Sequence, residues 1–190
     1  MPYDRAKRPR ADAERNRARL LEAAQARFAT GADAVTLEQI ARDAGVGIGT
    51  LYRHFPTREA LVEALYRQEL ADLCASADEL LVGRDPEAAL LTWMERFADY
   101  VSAKREMGEA LRSAFASGSV TVSEARGQLS AAVQTILDAG IADGTLRSDV
   151  RSEDIVATVV GIFAATSIAG GAEQRARMFA LLLDGVRRRK

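Results

Sequence analysis

The most informative part of this chain is Thr36 to Phe55, TLEQIARDAGVGIGTLYRHF. Thr36 is followed three residues later by Gln39, which is the spacing of a helix capping box. Apolar residues then recur at helical spacing up to Gly45, a residue that readily takes the positive φ of a sharp turn. The stretch therefore predicts two short helices joined by a tight turn, with the second running over residues 48–55.

The second of these helices sorts its side chains onto two faces. Leu51 and Phe55 are four residues apart and share an apolar face, whereas Thr50, Arg53 and His54 share the opposite one. An α-helix fits the major groove of DNA, where an arginine can bond the O6 and N7 atoms of guanine together. We therefore predict that this helix contacts DNA and that Arg53 reads a base.

Residues at the helix starts and at Gly49 suit close contact with the DNA backbone. Gly49 leaves part of the helix surface without a side chain, so the protein backbone can approach DNA closely. Thr36 begins one helix and Thr57 begins the helix after Pro56, so exposed backbone N–H groups are expected at both N-termini. We predict phosphate contacts at Thr36 and at Arg58.

The run from Gly45 to Leu65, GVGIGTLYRHFPTREALVEAL, resembles the DNA-binding end of TetR-family transcriptional regulators. The family pattern places Gly-Val in the turn, Thr-Leu-Tyr before a His-Phe pair, then a short basic loop and a leucine-rich helix. The resemblance implies DNA contacts by Thr50, Tyr52, Arg53, His54 and Arg58, with Tyr52 and His54 on phosphates. Many relatives carry a polar residue where this chain has Ile48, for which a thymine-methyl contact and simple packing are both open.

Positive charge is concentrated at the end of the chain that holds the helix pair. Residues 1–60 contain 11 Lys and Arg against 8 Asp and Glu, whereas the remainder contains 15 against 19. Most of the excess lies in the first twenty residues, which are either a solvated tail or a basic arm lying on phosphates. Beside the helix pair we predict an arm, with Arg8 and Arg10 contacting DNA.

The composition is that of a soluble, all-helical protein. The chain is 48% hydrophobic and 28% charged, and almost no window alternates with the period of two that a half-buried strand needs. The single cysteine, Cys74, excludes an intramolecular disulfide and fits a reducing compartment. The basic N-terminus is not followed by the apolar core of a signal peptide. We expect a cytoplasmic bacterial protein that lies at the nucleoid when bound to DNA.

The remaining sequence predicts a helical body, giving about nine helices in total. Residues 1–65 are predicted to form a helix-turn-helix DNA-binding domain with its basic arm, and residues 66–190 a ligand-binding and dimerisation domain. Aromatic and methionine side chains in the body suit either an ordinary core or the apolar wall of a small-molecule pocket. The resemblance implies such a pocket, with candidate contacts at Trp93, Phe97, Tyr100, Met107 and Phe115.

Residues 155–172, IVATVVGIFAATSIAGGA, carry no charge. A bilayer span needs about 20 apolar residues, and Asp154 and Glu173 flank the run closely, so we predict no membrane span. Small residues recur every four positions beside a ridge of bulky ones, and a helix that is apolar all round must be buried on both sides. We predict that a second subunit covers one side, through Ala157, Gly161, Ala165, Ala169, Met178 and Leu182, as in the family.

These features predict a ligand-responsive transcriptional regulator that binds an inverted repeat in double-stranded DNA as a homodimer and, in the usual mode of the family, represses. A two-fold dimer places two recognition helices in successive major grooves about 34 Å apart. The alternatives are a DNA-binding regulator with no small-molecule ligand, an all-helical enzyme, or a helix pair that is only a structural corner. His54 is the only histidine, and we find no phosphate loop or nucleophile elbow, so we predict no catalytic residue, metal or cofactor.

Overall fold

The computed structural model describes residues 7–29, 35–116, 121–167 and 171–188. Within these ranges every regular element is an α-helix, apart from an isolated bridge between Leu146 and Arg187. The helices of the described ranges are α1 (Lys7–Ala29), α2 (Leu37–Asp43), α3 (Ile48–His54), α4 (Arg58–Leu81), α5 (Pro86–Glu106), α6 (Gly108–Ala116), α7 (Val122–Ala142), α8 (Ser152–Thr166) and α9 (Gly171–Val186). The predicted all-α fold is confirmed.

The chain divides into two compact units. The first unit comprises Met1–Gln68 and Ala103–Val120, and the second comprises Glu69–Ser102 and Thr121–Lys190. Helices α1 to α3 and α6 therefore belong to the first unit and α7 to α9 to the second, while α4 and α5 each contribute residues to both. The functional division at residue 65 remains a prediction.

In the first unit, α1, α2 and α3 pack on one another around a shared apolar core. Its buried side chains, none more than 5% exposed, are Leu20, Leu21, Ala24, Phe28, Val35, Ile40, Ala41, Ala44, Leu51 and Phe55. Complete burial of a leucine or phenylalanine contributes roughly 1.5–3 kcal/mol, so this core holds short helices that would not be stable alone.

The first helix begins earlier than the sequence predicts. The sequence predicts a basic arm in the first twenty residues, whereas residues 7–10 are already helical. Pro9 does not prevent this, because it lies in the first turn, where a missing backbone N–H has no helical acceptor to lose. The side chains of Arg8 and Arg10 lie outside the described part of the structure, so their DNA contacts remain predictions.

In the second unit, α8 packs against both α7 and α9. The last helix ends at Val186, although the sequence predicts helix to Arg189. The chain leaves the helix there because it pairs with the segment after α7: Arg147 N donates to Val186 O at 3.0 Å, and Arg188 N donates to Thr145 O at 2.8 Å. Hydrogen bonds between residues so far apart in sequence carry no local signal.

Residues 155–166 of the uncharged run fold as part of α8, which is 15 residues long. At 1.5 Å per residue this is about 22 Å, against a bilayer core of about 30 Å. Among the described helices, none combines the length and the apolar character needed to cross a membrane.

Gly140 of α7 makes a close approach that an added methyl group would disturb. A Cβ built there would lie 2.9 Å from Leu146 Cβ and would overlap the rest of that side chain. We expect Gly140→Ala to lower the free energy of unfolding by about 1–2 kcal/mol, because overpacking outweighs the gain in helix propensity. Chemical denaturation followed by circular dichroism measures this.

Gly127 provides the matched control, since it lies on the same helix and a Cβ there meets nothing within 4 Å. Gly127→Ala should leave the stability unchanged or raise it by up to about 1 kcal/mol. Equal stability of the two variants would contradict the close packing at Gly140.

Candidate functional site

The start of α2 has the capping geometry that the sequence predicts. Thr36 Oγ1 accepts a hydrogen bond from Gln39 N at 3.2 Å, and Thr36 N donates to Gln39 Oε1 at 3.0 Å. Both side chains thereby satisfy backbone groups at the helix start. Thr36 is exposed, so its surroundings remain accessible from solvent.

Gly45 makes the turn between α2 and α3. Its φ is +61°, in the region that residues with a Cβ rarely adopt. The backbone N–H of the next residue, Val46, donates a hydrogen bond to Ala41 O of α2 at 2.9 Å. A Cβ on Gly45 would also lie 2.6 Å from Nη2 of Arg19, which belongs to α1. The backbone angle therefore favours glycine here, and a Cβ would in addition displace the exposed Arg19 side chain.

Helix α3 presents the two faces that the sequence predicts. Leu51 is fully buried and Phe55, just after the helix, is only 2% exposed. On the other side, Arg53 is exposed and Tyr52 is 45% exposed. Ile48 is 40% exposed, so it does not pack into the core of its own chain and stays available for contact with another molecule.

The polar side chains of the outer face are arranged within one helical turn. Arg53 bonds to its own helix, with Nε donating to Gly49 O at 3.2 Å and Nη2 donating to Thr50 Oγ1 at 2.8 Å. His54 is half-buried, and its ring centroid lies 6.2 Å from that of Phe55. The Thr50 hydroxyl and the Arg53 guanidinium therefore lie together on α3, and the His54 imidazole follows at the last position of the helix.

Arg58 has a structural contact that the sequence did not predict. Its Nη1 donates to Val35 O at 2.8 Å, and its guanidinium carbon lies 5.7 Å from the ring centroid of Phe28. Arg58, the first residue of α4, thus contacts both the end of α1 and the segment before α2. Thr57 caps the same helix as predicted, since its Oγ1 accepts from Ala60 N at 3.1 Å. A phosphate contact by Arg58 remains a prediction and would use its other N–H groups.

Three arginines of α1 also contact the helix pair, and sequence reasoning missed their role. The guanidinium of Arg17 lies 5.5 Å from the ring centroid of Phe55, and Arg19 adjoins Gly45. Arg27 Nη2 donates to Asp43 Oδ1 at 3.0 Å, and the hydrogen bonding raises the pKa of Arg27 and lowers that of Asp43. The charge excess signalled these arginines, but only the packing of α1 shows where they lie.

Three of the predicted ligand contacts form a continuous aromatic row in the second unit. The rings of Trp93 and Phe97 have centroids 5.7 Å apart, and those of Phe97 and Tyr100 are 6.0 Å apart. All three side chains are buried, and the indole Nε1 of Trp93 donates to Leu73 O at 3.2 Å. Trp93 therefore has its polar group satisfied by the protein itself.

The other two predicted ligand contacts, Met107 and Phe115, belong to the first unit. Met107 is buried, and Phe115 meets Tyr66 edge to face with centroids 5.5 Å apart. The ammonium of Lys104 lies 5.1 Å from the Tyr66 centroid and 5.6 Å from that of Phe115, and burial lowers its pKa. The sequence analysis did not select Lys104 as a candidate.

A groove of about 440 Å³ lies elsewhere in the second unit, between α7 and the start of α8. Its lining includes none of the five predicted ligand contacts. The lining residues are Ser123, Arg126, Gly127, Ser130, Ala131, Gln134, Ser152 and Glu153.

The predicted dimer residues lie on exposed or half-exposed faces of α8 and α9. Ile155, Val159, Ile162 and Phe163 of the bulky ridge are buried, whereas Ala157, Gly161 and Ala165 of the small ridge are exposed. Met178 and Leu182 are half-exposed, and Ala169 lies outside the described residues. Val160 is 48% exposed and Leu181 is 71% exposed, and neither is among the six predicted dimer residues.

Comparison with known proteins finds two matching family models. The model described as "Bacterial regulatory proteins, tetR family" matches residues 20–65, and that described as "Transcriptional regulator SbtR-like, C-terminal domain" matches residues 85–188. Among curated proteins, the chain is 32% identical over 144 residues to the HTH-type transcriptional repressor KstR2 of Rhodococcus jostii, covering 72% of this chain and 71% of the repressor.

Two solved structures extend the likeness to nearly the whole chain. A TetR transcriptional regulator from Streptomyces coelicolor is 44% identical with a TM-score of 0.80, over 92% of this chain and 99% of that one. A TetR transcription regulatory protein from Mycobacterium vanbaalenii is 33% identical with a TM-score of 0.72, over 94% of this chain and 99% of that one.

The positive φ of Gly45 gives a stability test. We expect Gly45→Ala to lower the free energy of unfolding by about 1–2 kcal/mol, because alanine is disfavoured at positive φ and the Arg19 side chain must move. Gly49→Ala, on the neighbouring exposed surface where a Cβ meets nothing within 4 Å, should not lose stability. Urea denaturation compares them, and a Gly45→Ala protein as stable as wild type would contradict the turn geometry.

Proposed function

Because the chain belongs to the TetR family of bacterial transcriptional regulators, which are not enzymes, we propose that it is a repressor released by a small-molecule effector. It binds an inverted-repeat operator in double-stranded DNA as a homodimer. The observation that carries this proposal is the exposed polar face of α3, held in place by the burial of Leu51 and Phe55. Repression is proposed because the relative KstR2 is a transcriptional repressor.

Helix α3 suits insertion into the major groove. Its seven residues span about 10 Å, so one helix reads only a few base pairs. Arg53 reads a guanine, while Ile48 contacts a thymine methyl beside it. Thr36, Tyr52, His54 and Arg58 contact phosphates and so fix the orientation of the helix in the groove.

A second copy of the chain covers the exposed faces of α8 and α9. Val160 and Leu181 are large apolar side chains that face solvent in the isolated chain, and the small ridge around Gly161 lets another helix approach closely. A two-fold pair of α8 and α9 helices forms a four-helix interface. The same symmetry axis relates the two α3 helices and requires an inverted repeat in the operator.

The effector binds in the helical body and acts through α4, which contributes residues to both compact units. A ligand shifts the equilibrium only if it binds the DNA-competent and the released conformations with different affinity. The buried aromatic row of Trp93, Phe97 and Tyr100 in the second unit is the proposed lining. Met107 and Phe115 of the first unit stay separate candidate contacts.

One observation favours a regulator with no small-molecule ligand. Trp93 is fully buried and its indole N–H is bonded to Leu73 O, which is what an ordinary core tryptophan does. A thermal-shift screen separates the two candidates, because an effector must raise the melting temperature and also release operator DNA.

Selection from a pool of random-sequence duplexes at near-physiological salt tests the function. We expect an enriched inverted repeat for the wild-type protein. For Arg53→Ala we expect relaxed preference at one position in each half-site, with a loss of about 1–3 kcal/mol per contact, because a bidentate contact to guanine is removed.

Arg112→Ala is the control for this substitution, since it removes an exposed arginine from α6. It should leave the base preferences unchanged. Retention of DNA without sequence preference, abolished by salt, would contradict the regulator proposal. An Arg53→Ala protein with the wild-type base preferences would remove Arg53 as the reader.

Bulk added to the small ridge tests the dimer. We expect Gly161→Leu to raise the dimer dissociation constant by about tenfold or more, because the leucine side chain holds the facing helices apart. Analytical ultracentrifugation measures this. Gly127→Leu places the same side chain in open space on α7 and should not change the dimer, whereas an unaltered Gly161→Leu dimer would show that α8 lies outside the interface.

A further inference from the structure

The guanidinium of Arg53 is bonded to its own helix along one edge only. Nε donates to Gly49 O at 3.2 Å and Nη2 donates to Thr50 Oγ1 at 2.8 Å. In a planar guanidinium, the Nε hydrogen and one Nη2 hydrogen point the same way and form the side edge. The second Nη2 hydrogen and one Nη1 hydrogen form a parallel pair at the end of the group. The helix therefore occupies the side edge and leaves the end pair for another acceptor.

The end pair matches the acceptors of a guanine in the major groove. Guanine presents O6 and N7 side by side, and two parallel N–H groups from one arginine can bond both. An exposed arginine otherwise samples many rotamers, and fixing one of them on binding costs affinity. Bonds that hold the guanidinium before DNA arrives reduce this cost, but only for the base that the held orientation fits.

From this geometry we propose that Thr50 is a positioning residue that sharpens base discrimination by Arg53. Its hydroxyl accepts the bond that holds the side edge, so the end pair is directed away from Thr50. The inference rests on the proposed function, in which α3 enters the major groove. It differs from a phosphate contact by Thr50, because a phosphate contact strengthens binding to all sequences alike.

Two substitutions of Thr50 separate the hydroxyl from the rest of the side chain. Thr50→Val replaces the hydroxyl with a methyl group, keeps the β-branched shape and removes the acceptor for Arg53 Nη2. Thr50→Ser keeps the hydroxyl and removes the methyl group. Thr50 is only half-buried, so neither change opens a cavity in the core, and unfolding temperatures verify that both proteins fold.

The experiment compares wild type, Thr50→Val, Thr50→Ser, Arg53→Ala and the Thr50→Val, Arg53→Ala double variant. Dissociation constants are measured on the selected operator and on operators changed at each half-site position. We expect Thr50→Val to reduce discrimination by about threefold to tenfold at the position that Arg53→Ala identifies, in the range of one hydrogen bond. Thr50→Ser should keep that discrimination, and the double variant should equal Arg53→Ala there.

Each other outcome overturns the inference. An equal loss of affinity on all operators would make Thr50 a phosphate contact. A change in base preference that persists without Arg53 would make Thr50 a reader in its own right. If Thr50→Val discriminated between bases as well as the wild-type protein does, the hydrogen bond from Arg53 to Thr50 would have no role in base discrimination, and the proposed function would stay in place. A wild-type protein that selects no operator would overturn the proposed function, and this is seen before any variant is compared.

Discussion

The burial of Leu51 and Phe55 is the constraint on which the proposed DNA contacts depend. A helix of seven residues has too few hydrogen bonds to be stable alone, so α3 takes its stability from packing against α1 and α2. Once those two side chains occupy the core, the helix cannot rotate about its axis without exposing them. Arg53 is therefore fixed on the outer face, and the turn at Gly45 fixes the angle at which α3 leaves α2.

Local sequence predicted the elements whose causes are local. The capping box of Thr36 and Gln39, the turn glycine and the two faces of α3 each depend on residues within a few positions, and the structure has all of them. The contact of Arg58 with Val35 spans 23 residues, and the pairing of Leu146 with Arg187 ends α9 early. Neither leaves a periodic signal in the sequence. The resemblance added expectations that the pattern alone did not give, namely phosphate contacts by Tyr52 and His54, and these remain predictions.

The burial of the two faces of α8 also depends on contacts that the local sequence does not show. Periodicity identified a small ridge and a bulky ridge, but it did not say which of them the chain itself buries. The structure buries the ridge of Ile155 and Val159 and leaves Gly161 exposed, with Val160 and Leu181 beside it. An apolar face that one chain leaves uncovered is what a symmetric partner would cover, and two-fold symmetry would carry the arrangement to the paired α3 helices.

Methylation interference shows whether Arg53 reaches guanine in the major groove. Dimethyl sulfate methylates guanine N7 in the major groove and adenine N3 in the minor groove. On the selected operator, we expect methylation of one guanine N7 in each half-site to block binding of the wild-type protein and to have no effect on binding of Arg53→Ala. Interference confined to adenine N3, or guanine interference that persists without Arg53, would contradict it.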